Sequence, residues 1–239
     1  MKNVALDNRC TLYISSCDAY SDLWNPFFTL FAKYWPDCPY PIVLASETKT
    51  FSYPGLDIQC PRFYRKGVRS HWSERTAKTF KSIKSPFILF TLDDYILTEP
   101  VNQNVISHNL NFMESNPDAS RLRWPRTHGV EQGGVPHYEL EQKHAITAYP
   151  SIWRYETLMR TMRPRETIWN WEKGGNDRCT LCNDNLYVCT NYFIPIPRGG
   201  LFYHGKWQQP GIDILRANGI ELDFKRRGIK TKIWRDGRG

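Results

Sequence analysis

The sequence predicts an α/β fold in which a mostly parallel central sheet is flanked by helices. A βαβ unit is indicated by a strand at Thr11–Ser16, a helix at Asn25–Tyr34 and a strand at Ile42–Ala45. A helix predicted from Glu74 to about Lys84 then leads into the apolar run Phe87–Leu92. A short apolar run of this kind is typical of a parallel strand that is buried on both faces.

The first helix carries signals at both ends. Asn25 is a preferred N-cap residue, and Pro26 suits the first helical position. Pro36 ends the helix, because the residue before a proline avoids helical backbone angles. Between these limits the helix has one apolar face, formed by Phe27, Leu30, Phe31 and Tyr34.

The later part of the chain continues the alternation of strands and helices. We expect a helix at Asn102–Ser115, strands at Arg121–Trp124, Ala145–Ala148 and Tyr192–Ile196, a strand running into a glycine turn at Leu201–Trp207, and a last helix at Pro210–Asn218. Thr127–Lys143 is polar and shows no clear periodicity, so we predict a long loop there.

The composition narrows the class of protein. The net charge of +8 and the isoelectric point near 9.1 favour an anionic partner, such as nucleic acid, anionic lipid or a phosphorylated ligand. The sequence has no run of 18 apolar residues and no apolar N-terminal signal, so we expect neither a membrane span nor secretion. Seven scattered cysteines favour a reduced, cytoplasmic protein. Cys179 and Cys182 form a CxxC pair, but no fourth ligand follows at zinc spacing.

Two adjacent acids, Asp93 and Asp94, directly follow the apolar run. Adjacent strand residues point to opposite faces, so a continuing strand would bury one unpaired carboxylate. We therefore expect the chain to turn and to present both acids at the carboxyl end of the strand, where open α/β sheets bind ligands. Two carboxylates there suit a hard divalent cation, which in turn holds phosphate oxygens. The alternative is an acidic turn that binds nothing.

Cationic residues occur at two places that suit a phosphate. Arg75 and Lys78 share one face of the helix before the apolar strand, which indicates either a phosphate contact or a solvated surface. His204 and Lys206 flank Gly205, where the backbone can approach a ligand closely. We predict a diphosphate contact for this second pair.

Glu172 is the candidate for proton transfer. It follows Trp169 and Trp171 and precedes a diglycine. A partly buried carboxyl group beside indole rings tends toward a raised pKa, which suits a general base near neutral pH. An exposed glutamate near a helix start is the alternative.

Residues 223–239 form a strongly basic tail in which Ile and Trp are interleaved with Lys and Arg. Such a tail either binds anionic membrane surfaces or nucleic acid, or is disordered. We predict peripheral contact with an anionic membrane as one of these outcomes.

Taken in order, these features resemble the GT-A glycosyltransferases, specifically family 2-like enzymes of the bacterial surface-glycan type. The resemblance rests on the βαβ half, the apolar strand that ends in Leu92-Asp93-Asp94-Tyr95, and the later motif Trp169–Glu172. It implies a single catalytic domain at 1–222, with a donor half at about 11–100 and an acceptor half at about 101–207. It also implies a smaller, mixed sheet on the acceptor side.

The resemblance implies a role for each candidate residue. The base and ribose of the nucleotide would contact Ser16, Cys17 and Asp18, and the diphosphate would contact Arg75 or Lys78. An Mg²⁺ or Mn²⁺ ion would be held by Asp93 and Asp94, and Asp93 would also contact the ribose. The leaving diphosphate would be bound by His204 and Lys206, and the acceptor sugar by Trp124, Trp169 and Trp171. Glu172 would take the proton of the acceptor hydroxyl. The sequence departs from the family pattern at two positions. Tyr95 stands at the place of the last Asp of the family's Asp-x-Asp motif, and Glu172 is a single acid where the family often has the pair Glu-Asp.

The function that follows is transfer of a sugar from a nucleotide-diphosphate donor to a glycan or lipid-linked acceptor, with inversion. We expect a cytoplasmic protein, at or near the inner face of the membrane, and no nucleic-acid partner. Three alternatives remain: a sugar nucleotidyltransferase, a nucleic-acid-binding module and a polysaccharide-binding protein. The first usually has a glycine-rich, cationic loop after its first strand, and Ser16–Ser21 has neither feature.

Overall fold

The protein is built from a large sheet, a small sheet and surrounding helices. The computed structural model describes residues 5–64, 70–125, 134–141, 146–192, 194–197, 199–224 and 227–230. The strands of the large sheet are β1 (Cys10–Ser15), β2 (Ile42–Leu44), β3 (Ile58–Gln59), β4 (Phe87–Leu92), β5 (Ala119–Arg123), β6 (Tyr138–Leu140), β7 (Ser151–Arg154) and β8 (Asn185–Cys189). Those of the small sheet are β9 (Phe202–Tyr203), β10 (Lys206–Gln208) and β11 (Ile229–Lys230).

The helices occupy the connections between strands. They are α1 (Trp24–Tyr34), α2 (Trp72–Phe80), α3 (Gln103–Ser115), α4 (Tyr155–Thr161), α5 (Ile168–Leu181) and α6 (Gln209–Ala217). A 3₁₀ helix, Asp18–Leu23, precedes α1. No helix in the described ranges is both long and apolar enough to cross a membrane.

The strand order of the large sheet brings several carboxyl ends to one edge. The order is β3-β2-β1-β4-β7-β5-β8-β6. β1 pairs in parallel with β2 and β4, and β2 with β3. β7 is antiparallel to both β4 and β5, so β5 and its parallel neighbour β8 point in the same direction as β4. This mostly parallel sheet, with a small mixed sheet beside it, confirms the predicted fold class.

Both faces of the large sheet are covered because its central strands carry apolar residues on each side. In β1, Leu12 and Ile14 pack in the layer that contains α1 and α3, whereas Tyr13 packs in the layer that contains α2 and α5. Residues Phe87–Thr91 of β4 are all buried. The prediction of a strand buried on both faces is therefore confirmed.

The predicted strand Ala145–Ala148 is wrong. Ala145 lies outside the described residues, and the following three residues are not in a strand. The backbone N–H of Ile146 donates to Asn176 in α5 at 2.5 Å, and that of Ala148 donates to Glu172 at 2.6 Å. Because these backbone N–H groups donate to side chains of α5, they cannot also pair with a neighbouring strand. The strand β7 begins a few residues later.

The predicted strand Tyr192–Ile196 is also wrong. Of these residues the structure describes 192 and 194–196, and none lies in a strand. Pro195 has no N–H to donate to a ladder, and its carbonyl accepts from the backbone N–H of Thr98 at 2.7 Å. The sheet is completed instead by β8, which precedes this segment. The predicted long loop also needs correction, because its described part contains β6.

The fold continues past residue 222, the predicted end of the catalytic domain. Phe224 is buried and packs against Trp207 of β10, with ring centroids 5.1 Å apart. β11 then pairs in parallel with β10. The first part of the basic tail is therefore part of the folded unit, whereas residues 225, 226 and 231–239 lie outside the described part of the chain.

Candidate functional site

The chain turns at the acid pair, as the sequence predicts. Asp93 and Asp94 form a turn directly after β4, and the N–H of Tyr95 bonds back to the carbonyl of Leu92 at 3.2 Å. The carbonyl of Asp94 accepts from the N–H of Leu201 at 3.0 Å. Both acids therefore lie at the carboxyl edge of the large sheet, where it meets the small sheet.

Asp93 is held by side chains from the neighbouring strand end. It is 6% exposed, and the hydroxyl of Ser16 donates to its Oδ2. The Ser16 hydroxyl in turn accepts from the indole N–H of Trp24 at 2.7 Å. Burial raises the pKa of Asp93 well above its usual range, and the nearby charge of Asp94 raises it further. Ser16 thus positions this carboxyl group and does not present a free hydroxyl.

Asp94 has a carboxyl oxygen without a partner. Its Oδ1 is buried and makes no hydrogen bond to any described residue. Gly200 lies over the group with φ +72°, and a Cβ at that position would be 2.9 Å from Asp94 Oδ2. Only glycine therefore fits here without displacing the acid. Burial raises the pKa of Asp94 to about 7.

These two carboxyl groups fit a divalent cation. A buried, unpartnered carboxylate oxygen beside a second acid offers the hard oxygen ligands that Mg²⁺ and Mn²⁺ prefer. Among the described residues, no group of three or more His, Cys, Asp or Glu side chains is placed to hold a metal ion. Water and substrate oxygens would supply further ligands.

The raised pKa of Asp94 predicts a specific dependence of stability on pH. A carboxyl group whose pKa is higher in the folded than in the unfolded protein contributes its full stabilisation below the unfolded pKa. This contribution decreases as the pH rises above that value and is lost as the pH passes through about 7. In the presence of a chelator, we therefore expect Asp94→Asn to raise the free energy of unfolding at pH 8 by about 1 kcal/mol or more, since one unit of pKa shift is worth about 1.4 kcal/mol.

Urea unfolding of the wild type and the variant at pH 4 and pH 8 measures this effect. The gain should be small at pH 4, where the group is protonated in the folded protein and only about half ionised in the unfolded protein. An equal gain at both pH values would contradict the assigned protonation.

The loop after β1 lies at the same edge, but its acid has internal partners. The Asp18 carboxylate accepts from the Thr48 hydroxyl at 2.6 Å and from the backbone N–H groups of Glu47, Thr48 and Lys49. Burial alone would raise the pKa of Asp18, but these hydrogen bonds outweigh it and lower the pKa. Asp18 therefore ties the loops after β1 and β2 together, and the half-buried Cys17 lies between Ser16 and this tie.

The two cations of α2 are placed differently. The indole N–H of Trp72, at the start of the helix, donates to Ser15 at the end of β1 (2.9 Å), so α2 runs away from the carboxyl edge. Arg75 is one turn from this start and pairs with Glu47 at 3.2 Å. Lys78 lies nearly one turn farther along, with its ammonium group 4.2 Å from the ring centroid of Tyr64. The described contacts place Arg75 at this edge and do not place Lys78 there. A phosphate contact stays a prediction for both residues.

Glu172 is connected to the acid pair through two contacts. Its Oε1 accepts from the backbone N–H of Ala148 at 2.6 Å. The next residue, Tyr149, packs edge-on against Tyr95, with ring centroids 5.4 Å apart, and Tyr95 follows Asp94 directly. The structure therefore brings the two predicted acidic motifs to the same region.

The diglycine after Glu172 lies inside α5 and is not a flexible break. A Cβ on Gly175 would be 2.8 Å from Cδ1 of Ile146. A side chain there would have to displace the Ile146 side chain, so glycine favours the close approach of α5 to the Ile146–Ala148 segment. This close approach puts Glu172 within reach of the Ala148 N–H.

Two of the three predicted acceptor-side tryptophans belong to the core. Trp124 and Trp171 are both 0% exposed. Trp171 packs against Trp72 and Phe90, and its indole N–H donates to Thr161 at 3.0 Å. Because neither ring presents a free face, the prediction that they stack on a sugar is wrong. Trp169, at 69% exposed, remains a candidate for that contact.

His204 and Lys206 lie at the tip of the hairpin between β9 and β10, and both are exposed. The hairpin begins beside Asp94, but His204 follows Leu201 by three residues, about 10 Å along an extended strand. The described contacts do not bring either side chain to the acid pair. Their contact with a diphosphate stays a prediction.

The sequence did not identify Arg227 as a site residue. Its guanidinium carbon lies 4.2 Å from the ring centroid of Tyr20, and its Nη2 donates to Asp22 at 2.6 Å. Its positive charge lowers the pKa of Asp93, against the larger effects of burial and of Asp94 that raise it. The cluster of basic residues in the tail indicates an anionic partner. No local sequence pattern, however, indicates that one of these residues contacts the loop after β1.

Comparison with solved structures identifies the type of fold, whereas comparison of the sequence with family models and curated proteins finds no match. No protein-family model matches the sequence, and no curated protein matches it. The crystal structure of residues 1–349 of S. aureus TarS superimposes with a TM-score of 0.53 at 13% identity, covering 77% of this chain and 59% of that chain. A second TarS crystal structure gives a TM-score of 0.52 at 13% identity, with 77% of this chain and 36% of that chain covered. This chain thus spans less than two thirds of either TarS structure.

Two further solved structures superimpose less closely. The mannosyltransferase PcManGT from Pyrobaculum calidifontis, in complex with GDP-Man and Mn²⁺, gives a TM-score of 0.44 at 10% identity, covering 78% of this chain and 59% of that chain. The 2-C-methyl-D-erythritol 4-phosphate cytidylyltransferase from Thermus thermophilus gives 0.48 at 7% identity, covering 87% of this chain and 96% of that chain. With its mostly parallel sheet, small mixed sheet and acid pair at the carboxyl edge, this chain has a GT-A-like fold.

Proposed function

We propose that this protein is a glycosyltransferase that moves a sugar from a nucleotide-diphosphate donor to a hydroxyl group of a glycan or lipid-linked acceptor. The observation that carries the proposal is the buried acid pair at the carboxyl edge of a GT-A-like fold, with an unpartnered oxygen on Asp94 and with Glu172 on the adjoining segment. An acidic turn that bound nothing would have no reason to bury an unpaired carboxylate oxygen, which costs free energy.

On the donor side, Asp93 and Asp94 would hold a Mg²⁺ or Mn²⁺ ion, with Ser16 positioning Asp93. A bound divalent cation would neutralise the charge that develops on the leaving diphosphate. Arg75, at the same edge, adds a positive charge. The loop Ser16–Asp18 and the loop tied to it after β2 would form the wall against which the nucleoside lies.

On the acceptor side, Glu172 would accept the proton of the attacking hydroxyl, which is a weak nucleophile without a base in hydrogen-bond reach. The hydrogen bond from the Ala148 N–H to Oε1 would fix the orientation of the carboxyl group for this role. A base on the acceptor side, separate from the leaving diphosphate, fits transfer with inversion. The exposed ring of Trp169, three residues earlier on α5, would give a sugar an apolar face.

A screen of ligands by thermal unfolding tests the proposal. Adding UDP-, GDP-, dTDP- or CMP-sugars with Mn²⁺ should raise the midpoint of unfolding with one nucleotide class, because a ligand at 100 times its dissociation constant stabilises a protein by about 2.7 kcal/mol. For a chain of this size that corresponds to a shift of about 5–10 °C.

The same screen separates the alternatives. Stabilisation by nucleoside triphosphates and a sugar phosphate, without stabilisation by the nucleotide sugars, would favour a nucleotidyltransferase. Salt-sensitive binding of DNA or RNA with no nucleotide-sugar binding would favour a nucleic-acid-binding module. Binding of a polysaccharide alone would favour a carbohydrate-binding protein.

A further inference from the structure

The C-terminal segment formed by Phe224 and residues 227–230 is folded against the edge of the large sheet that carries the acid pair. The backbone N–H of Trp207 donates to the carbonyl of Gly228 at 3.0 Å, and Ile229 and Lys230 then continue as β11. Phe224 is buried against Trp207. Backbone pairing and an apolar anchor therefore fix the segment on both sides of Arg227.

Arg227 is inserted between elements of the candidate site. Its guanidinium carbon lies 4.2 Å from the ring centroid of Tyr20 and 5.3 Å from that of Phe202. Its Nη2 donates to the carbonyl of Ala19 at 3.0 Å and to Asp22 Oδ1 at 2.6 Å. The side chain is only 14% exposed, and its Nε is buried without a hydrogen-bond partner among the described residues.

Both elements that hold Arg227 are attached to the acid pair. Tyr20 and Asp22 belong to the 3₁₀ helix that begins directly after Cys17. Phe202 follows Leu201, whose N–H bonds to the Asp94 carbonyl, and Gly200, which covers the Asp94 carboxylate. Arg227 therefore closes the space between the loop after β1 and the start of β9, beside Asp93.

The chemistry of this position favours a phosphate. A guanidinium group presents donors in a planar fork that matches phosphate oxygens, and Arg227 still has an unused buried donor. Its present anion, Asp22, is 25% exposed. In this exchange Arg227 would keep an anionic partner, so its charge would not be left buried and unpaired, and the partly exposed Asp22 carboxylate would be solvated.

We propose that Phe224 and residues 227–230 form a strap that completes the donor site, and that Arg227 exchanges Asp22 for an oxygen of the donor's diphosphate. This inference rests on the proposed function and deepens it. The strap would thus make the basic C-terminal region part of the catalytic unit.

Titration calorimetry with UDP and GDP, each with Mn²⁺, tests the strap on the full chain. Arg227→Gln should weaken binding of the nucleotide that the wild type prefers by about tenfold or more, as loss of a hydrogen bond to a charged group implies. Lys33→Gln is the matched control, since its ammonium group also lies over an aromatic ring, 4.9 Å from the centroid of Tyr34, but in the last turn of α1 and away from the acids. It should leave the affinity unchanged.

Asp22→Asn gives a second test of opposite sign. Removing the competing anion should keep or increase the affinity for the diphosphate, whereas a purely structural Arg227–Asp22 pair would make both variants less stable without a selective loss of affinity. If the wild type binds a nucleotide and Arg227→Gln binds it equally well, the strap is refuted and the proposed function is not. Wild-type protein that binds neither UDP nor GDP and is not stabilised by any nucleotide sugar in the thermal-unfolding screen would overturn the proposed function, and the strap with it.

Discussion

Replacing Asp94 with asparagine is expected to reduce sugar transfer about a thousandfold or more. A divalent cation at a leaving group supplies several kcal/mol of charge stabilisation, and each 1.36 kcal/mol is worth about tenfold in rate. Asparagine is nearly isosteric, so Gly200 can remain against it, but a neutral amide is a much poorer ligand for Mg²⁺ or Mn²⁺ than a carboxylate. Initial rates with the nucleotide sugar selected by thermal unfolding, measured over a range of Mn²⁺ concentrations, give the effect.

Asp118→Asn is the matched control for this substitution. Asp118 is an exposed acid just before β5, at the opposite edge of the sheet, and its partner is the side chain of Asn185 at 2.8 Å. The control should retain the wild-type rate. If Asp94→Asn turns over as fast as this control, the acid pair has no part in holding a metal ion or a diphosphate.

Glu172→Gln is expected to abolish most of the transfer while sparing the binding of the donor. Glutamine can still accept the hydrogen bond from the Ala148 N–H, so the local structure should persist, but the amide cannot take a proton from the acceptor. General-base catalysis contributes about 10²–10⁴-fold, and the turnover number should fall by that factor. Calorimetric titration of the donor and initial-rate kinetics on the same preparation separate the two effects.

The neighbouring acid Asp177 provides the comparison for Glu172. It is exposed on α5, more than one turn beyond Glu172, so Asp177→Asn should remain active. Asp184 is a poor candidate for the base, because it is 5% exposed and bonded to Ser120 and Arg160. Full activity of Glu172→Gln together with loss of activity in Asp177→Asn would move the base along the helix and refute the assignment to Glu172.

Local patterns in the sequence were sufficient for several parts of the site. The apolar run of β4 and the two acids after it predict a buried strand that ends in a turn, and both features follow from residues adjacent in the chain. The first helix was predicted to within two residues, because its apolar face and its ending before Pro36 are also local. The predicted N-cap was wrong, since the N-cap is Leu23 and Asn25 lies inside the helix. The strands near Ala148 and Tyr192 were predicted wrongly, since their backbone groups bond to partners that are distant in sequence.

The sequence by itself determined the fold class, the parallel pairing of the first two strands and the position of the acid pair, because hydrophobic periodicity and turn chemistry act between near neighbours. Only the tertiary structure decided that Trp124 and Trp171 are core residues, that Glu172 reaches the Ala148 N–H, and that Arg227 returns from the tail to the loop after β1. Burial and charge pairing depend on which distant elements pack together, and that is a property of the folded chain.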